Sequence, residues 1–165
     1  MITSITIDDA QVQAVINALP SSIFKAEKSS VQQTATFVKN ELNSRMATKT
    51  GIPGRVFRRF RVKSKNIGDG KVVWLGLNKV KASYVGRLKQ DVSGAFAGQY
   101  FFAGGFVATM KSGHTGIFKN RGNQLDEQYV NINLGFQVAS EVSAEAQQKL
   151  KQAFIAKVLE LNPGL

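Results

Sequence analysis

The one histidine of this chain, His114, stands in the run Ser112-Gly113-His114-Thr115-Gly116. A serine nucleophile needs a histidine base within reach and a group that orients the base. Two neighbours in a glycine-rich turn meet that need poorly. The chain has no cysteine, which removes thiolate zinc sites, disulfides and cysteine nucleophiles together. A lone histidine leaves only carboxylates as further zinc ligands, and the acids show no clustered spacing. Residues 105–112, GFVATMKS, come near a phosphate-cradling loop. That loop requires a glycine directly before its lysine, and Met110 stands there. No G-x-G-x-x-G follows a strand. The residues therefore predict a protein that is not an enzyme, with no catalytic residue, cofactor or metal.

The strongest signal is charge. Residues 45–89 hold 13 of the 22 Lys and Arg residues and one acid, Asp69, so this quarter of the chain carries the whole net charge of +11. Such asymmetry calls for a partner or surface of opposite sign. Within it Arg59, Arg61, Lys63 and Lys65 fall at every second position, with Phe60 and Val62 between them. On a strand the cations would share one face and the apolar residues the other. The spacing predicts a half-buried strand over 58–65 with a cationic outer face formed by Arg59, Arg61, Lys63 and Lys65; with Arg58 beside them, these are the candidate DNA- or partner-facing residues. Three uses of that face stay open: a solvated surface, non-specific contact with nucleic-acid phosphates, and an electrostatic face inside a protein assembly. No aromatic residue interleaves on it, which argues against binding a single strand by stacking.

The rest of the chain must position that strand. A chain of 165 residues with 43% apolar content predicts one domain with a sizeable core. No apolar run approaches the roughly 20 residues of a membrane span. The start, MITSITIDDAQ, lacks the pattern of a signal peptide, so the chain is expected in the cytoplasm, with no membrane partner. Residues 2–7 alternate as a short strand. Val12, Val15, Ile16 and Leu19 predict a short helix over 8–19. Phe24, Val31, Ala35, Val38, Leu42 and Met46 mark a long helix over 21–47, with Lys25, Lys28, Gln32 and Lys39 on its other side. Gly51, Pro53 and Gly54 break that pattern, and a helical turn over 54–58 is expected before the basic strand. Asn66, Gly68, Asp69 and Gly70 read as a hairpin loop. Residues 71–77 form its second strand, with Trp74 the heaviest core candidate.

A glycine-rich stretch follows, with an arm over about 86–105. Small residues there alternate with Phe96, Tyr100, Phe101 and Phe102, the composition of a segment that orders only against a partner. These aromatics are the candidate oligomer contacts. Residues 106–110, 116–119 and 129–133 read as strands, completing a β-rich part over 58–133. Residues 143–161 read as the last helix, with Ala146, Leu150, Ala153, Phe154, Val158 and Leu161 in register. The fold class expected is α+β: a long N-terminal and a C-terminal helix packed on a mainly antiparallel sheet, with a glycine-rich extended arm.

The order of these elements, together with PGRVFRRFRVK and FVATMKSGHTGIFKNRG, resembles the lambda-like bacteriophage minor tail protein Z family. Phe106, Ala108, Met110, Ser112, Gly113, His114, Gly116, Ile117 and Phe118 match the family phrase, followed by Lys119, Asn120 and Arg121. The resemblance implies a structural virion protein at the head-proximal end of the tail. It implies a homo-oligomeric ring, six-fold like the tail tube, whose neighbours are tail-terminator, tail-tube or head-completion proteins. It implies a location at the head–tail junction, reached from the host cytoplasm during assembly. It also makes Gly113, His114 and Gly116 a structural turn. A small basic nucleic-acid-binding module acting alone is the alternative.

Overall fold

The structure is a computed structural model that describes residues 2–6, 21–76 and 79–161. The short helix expected over 8–19 lies outside them. The elements in order are β1 (Ile2–Thr6), α1 (Ser21–Thr50), α2 (Gly54–Phe60), β2 (Val62–Ile67), β3 (Gly70–Gly76), β4 (Lys79–Lys81) and α3 (Ala82–Val85). Then come β5 (Leu88–Asp91), β6 (Gly94–Ala97), β7 (Tyr100–Ala103), β8 (Phe106–Thr109), β9 (Thr115–Arg121), β10 (Gln124–Glu127), β11 (Tyr129–Asn131) and α4 (Gly135–Leu161). The class is α+β, as the pattern of elements predicts. Among the described residues every strand pair is antiparallel, in four small sheets ordered β1-β3-β2, β5-β6-β7, β8-β9-β10 and β4-β11. Among the described residues no helix is long and apolar enough to cross a membrane.

Helix α1 is the spine. Ile23, Ala26, Val31, Ala35, Val38, Leu42 and Met46 are buried at steps of three, four or five residues, a stripe that spans the length of the helix. Gly51 ends it. Its φ of +65° lies in the left-handed region, and its N–H donates to Ala47 O at 2.8 Å, the usual glycine stop. Helix α4 runs antiparallel beside α1, since Arg45 reaches Glu145 while Lys49 reaches Glu141. It begins at Gly135, eight residues before the expected start. Its buried residues are Val138, Ala139, Val142 and Ala146; the β-branched Val138 and Val142 and the opening Gly135 favour helix weakly and offset the two alanines. The contact with α1 selects the helix there.

Two further expectations change. Residues 54–60 form a helix, so Arg58 and Arg59 leave the strand, which starts only at Val62. Val56 and Phe57 are 4% and 0% exposed. Burying these two neighbours together suits a helix and defeats the alternation of a strand. The Arg61 N–H closes the turn on Phe57 O at 2.8 Å.

The glycine-rich stretch is not a free arm either. Residues 88–103 form a three-stranded meander whose Ala95 and Ala97 are fully buried in the common core. Alanine and glycine let its strands lie close against the core. A composition that reads as weakly folded is thus what close packing needs.

Candidate functional site

The cationic residues divide by element. Arg58 and Arg59 are exposed on α2. Arg61 caps that helix, is half-buried, and its Nη2 donates to Lys79 O at 2.5 Å. Its buried Nε has no partner among the described residues. Lys63 and Lys65 are exposed on β2 and face the same way. Strand β2 is the edge of its sheet, and lysines on an edge also deter pairing with another chain.

The outer face of this sheet carries an aromatic ring after all. Trp74 pairs across from Lys63, while Val73 and Leu75 turn inward to 0% and 2% exposure. The indole is half-buried rather than in the core. A Cβ placed on Gly76 would stand 2.7 Å from the Trp74 ring, so the ring lies over that glycine. The expectation of a core tryptophan fails because residue parity puts Trp74 opposite to Val73 and Leu75.

The 45–89 charge run also loses its uniformity. Arg45 is bonded to Glu41 and Glu145 at 3.0 and 2.6 Å, and Lys49 to Glu141 at 2.7 Å. Lys81 is bonded to Glu127 at 2.7 Å. By contrast Arg58, Lys63, Lys65 and Lys71 have no carboxylate partner among the described residues. Lys71 instead meets Gln32 on α1. Sequence reasoning left Lys25, Lys28 and Lys71 out of the site. The first two lie about forty residues upstream, and only the packing of α1 against β2 and β3 brings them to the hairpin.

The candidate contact aromatics split by face. Tyr100 and Phe102 pair with the buried Ala97 and Ala95 and pack on the core. The Tyr100 hydroxyl donates to Thr50 O at 2.5 Å, and Gln99 Nε2 donates to the same carbonyl at 2.9 Å. Together they satisfy the C-terminal end of α1. Phe96 and Phe101 lie on the opposite face with ring centroids 4.7 Å apart, and Phe101 is 44% exposed.

The glycine–histidine corner is the β8–β9 turn. Gly113 has φ +81° and its N–H donates to Met110 O, while the Met110 N–H donates to His114 O, both at 2.8 Å. His114 Nε2 lies 2.6 Å from Glu127 Oε1. The histidine is therefore held by a carboxylate from β10, not by Ser112. A Cβ on Gly116 would stand 3.3 Å from both Glu127 Oε1 and His114 Nε2, so glycine leaves room for that pair. Burial pushes the Glu127 carboxyl up, but hydrogen bonds from Lys81 and His114 outweigh it and hold the group below the usual carboxylate range. The same bond raises Lys81. This cluster ties β4, β10 and the β8–β9 turn together. Among the described residues no three metal-ligating side chains converge.

The fold and its surfaces thus define a basic α+β protein organised around charged and apolar faces. The model of the family described as prophage minor tail protein Z matches residues 1–161, and the chain belongs to that family of structural phage tail proteins. Membership implies a place in the virion. No curated protein and no solved structure matches the chain.

Proposed function

We propose that this protein completes the head-proximal end of the tail, so that the tail can join a filled head. It acts as a homo-oligomeric ring with six-fold symmetry around the DNA path, at the head–tail junction. Its neighbours there are tail-terminator, tail-tube or head-completion proteins, met after synthesis in the host cytoplasm. Family membership over residues 1–161 is the observation that carries this reading.

Two surfaces support it. A ring needs a heterologous contact that closes, and the outward pair Phe96 and Phe101 offers an aromatic anchor of the kind interfaces use. A ring around DNA also needs cations without internal partners. Lys63 and Lys65 meet that need, with Arg58, Arg59 and Arg61 nearby.

The test is electron microscopy and plaque assay of the source phage with this gene deleted. Filled heads beside finished but unjoined tails, or joined particles that do not infect, support the role. Normal infectious particles overturn it.

A further inference from the structure

We infer that the groove between the first turns of α1 and the tip of the β2–β3 hairpin is a seat for a nucleic-acid phosphate backbone. The groove encloses about 480 Å³. Lys25 and Lys28 line it from α1, and Lys71 from β3. These three ammonium groups come from segments more than forty residues apart. None has a carboxylate partner among the described residues. Among the described residues Asp69 is the one acid in the lining, so these residues keep a net charge near +2. Gln32 spans it by accepting from the Lys71 ammonium. Lys63 and Lys65, on the outer face of the same hairpin, continue the positive surface around its edge.

The chemistry favours phosphate over an acidic protein surface. Protein interfaces use aromatic and apolar anchors and are depleted in lysine. Its described lining is lysines, amides and glycine backbone, with Val31 the only large apolar residue among them. Lysine is a flexible point charge, which suits phosphates met in any sequence. The inference deepens the proposed function, on which it rests only in taking DNA as the polyanion.

The test is binding of a fluorescein-labelled duplex of about 30 base pairs to the purified full chain across a salt series. Each lost phosphate contact removes about 0.9 from the slope of log affinity against log salt. The Lys25→Gln/Lys28→Gln/Lys71→Gln variant should therefore lose about 2.7 of that slope. Its fall in affinity over a fourfold salt increase should shrink by about fortyfold. Asp69→Asn should tighten binding several-fold. Lys111→Gln/Arg121→Gln/Lys151→Gln and Asp126→Asn make the same charge changes elsewhere and should do much less. Circular dichroism and melting temperature confirm that each variant is folded.

Equal effects from the groove and control variants would mean attraction by net charge alone, and would overturn the groove. So would a groove triple variant that binds DNA normally yet cannot complement the deleted phage, since the groove would then hold an acidic protein. The deletion itself tests the tail role separately. Normal particles without the gene would sink that role while a groove-specific slope stood.

Discussion

Two charged regions of this molecule use the same residue types in opposite ways. Along the α1–α4 seam, Arg45 and Lys49 meet Glu141 and Glu145 at 2.6–3.9 Å. Their charge is consumed in holding two helices antiparallel. At the β2–β3 hairpin, Lys63, Lys65 and Lys71 have no carboxylate partner among the described residues, and Lys25 and Lys28 stand beside them in the same condition. In the sequence Arg45 and Lys65 belong to one basic block. In the fold one is internal structure and the other is surface charge that only another molecule can neutralise. A charge run therefore names a function only after its internal partners are subtracted.

Breaking each region should separate stability from binding. The largest loss of stability belongs under the seam. Leu42 is 0% exposed in the core, and Leu42→Ala should cost about 2–5 kcal/mol in urea unfolding. The salt slope for DNA should not move while the variant is folded. Next comes the Glu127 cluster. Glu127→Gln weakens the bonds to Lys81 and His114 and should cost about 1–3 kcal/mol at pH 7.

That cost should depend on pH, with a definite sign. The folded carboxyl lies below its ordinary value of 4.5. Its contribution is thus present above pH 4.5 and is lost as pH falls through the folded value. Thermal melts should show the wild type approaching the variant on acidification in that window. Lys81 is raised from 10.5. Its contribution is full below that pH and fades as pH rises through the folded value.

A smaller effect is expected from Lys49→Gln, which removes the Glu141 bond at the seam. The melting temperature should fall slightly, and the difference should narrow as salt is added. A drop that persists unchanged in high salt would mean that packing, not charge, is lost.

The smallest stability effect should come from Lys63→Gln/Lys65→Gln, within about 0.5 kcal/mol. The same variant should lose about 1.8 of the salt slope in the fluorescence titration. If it unfolds more easily than Lys49→Gln, the two regions do not differ as described.

Much of the frame could be read from residue spacing. The apolar stripe from Val31 to Met46 determines α1, because a long amphipathic period admits one element; at its start the structure buries Ile23 and leaves the expected Phe24 51% exposed. Gly68 and its neighbours between two strand runs determine the hairpin, because positive φ suits glycine. The phrase around Gly113, His114 and Gly116 carries the family resemblance, and the family model bears it out. Short segments were less legible. The helical turn expected over 54–58 is there but runs on to Phe60, which takes Arg58 and Arg59 out of the alternating run that reads as strand. The meander of 88–103 reads as weakly folded because alanine and glycine give no strand signal.

What the sequence by itself determined, then, is the class of fold, the long helices, the hairpin, the family and the total charge. Those follow from local periodicity and composition. Only the tertiary structure decided which cations are spent on glutamates, which side of the sheet Trp74 occupies and that Lys25, Lys28 and Lys71 share one groove. Each depends on residues far apart in the chain meeting across a packed core, and no local pattern records such a meeting.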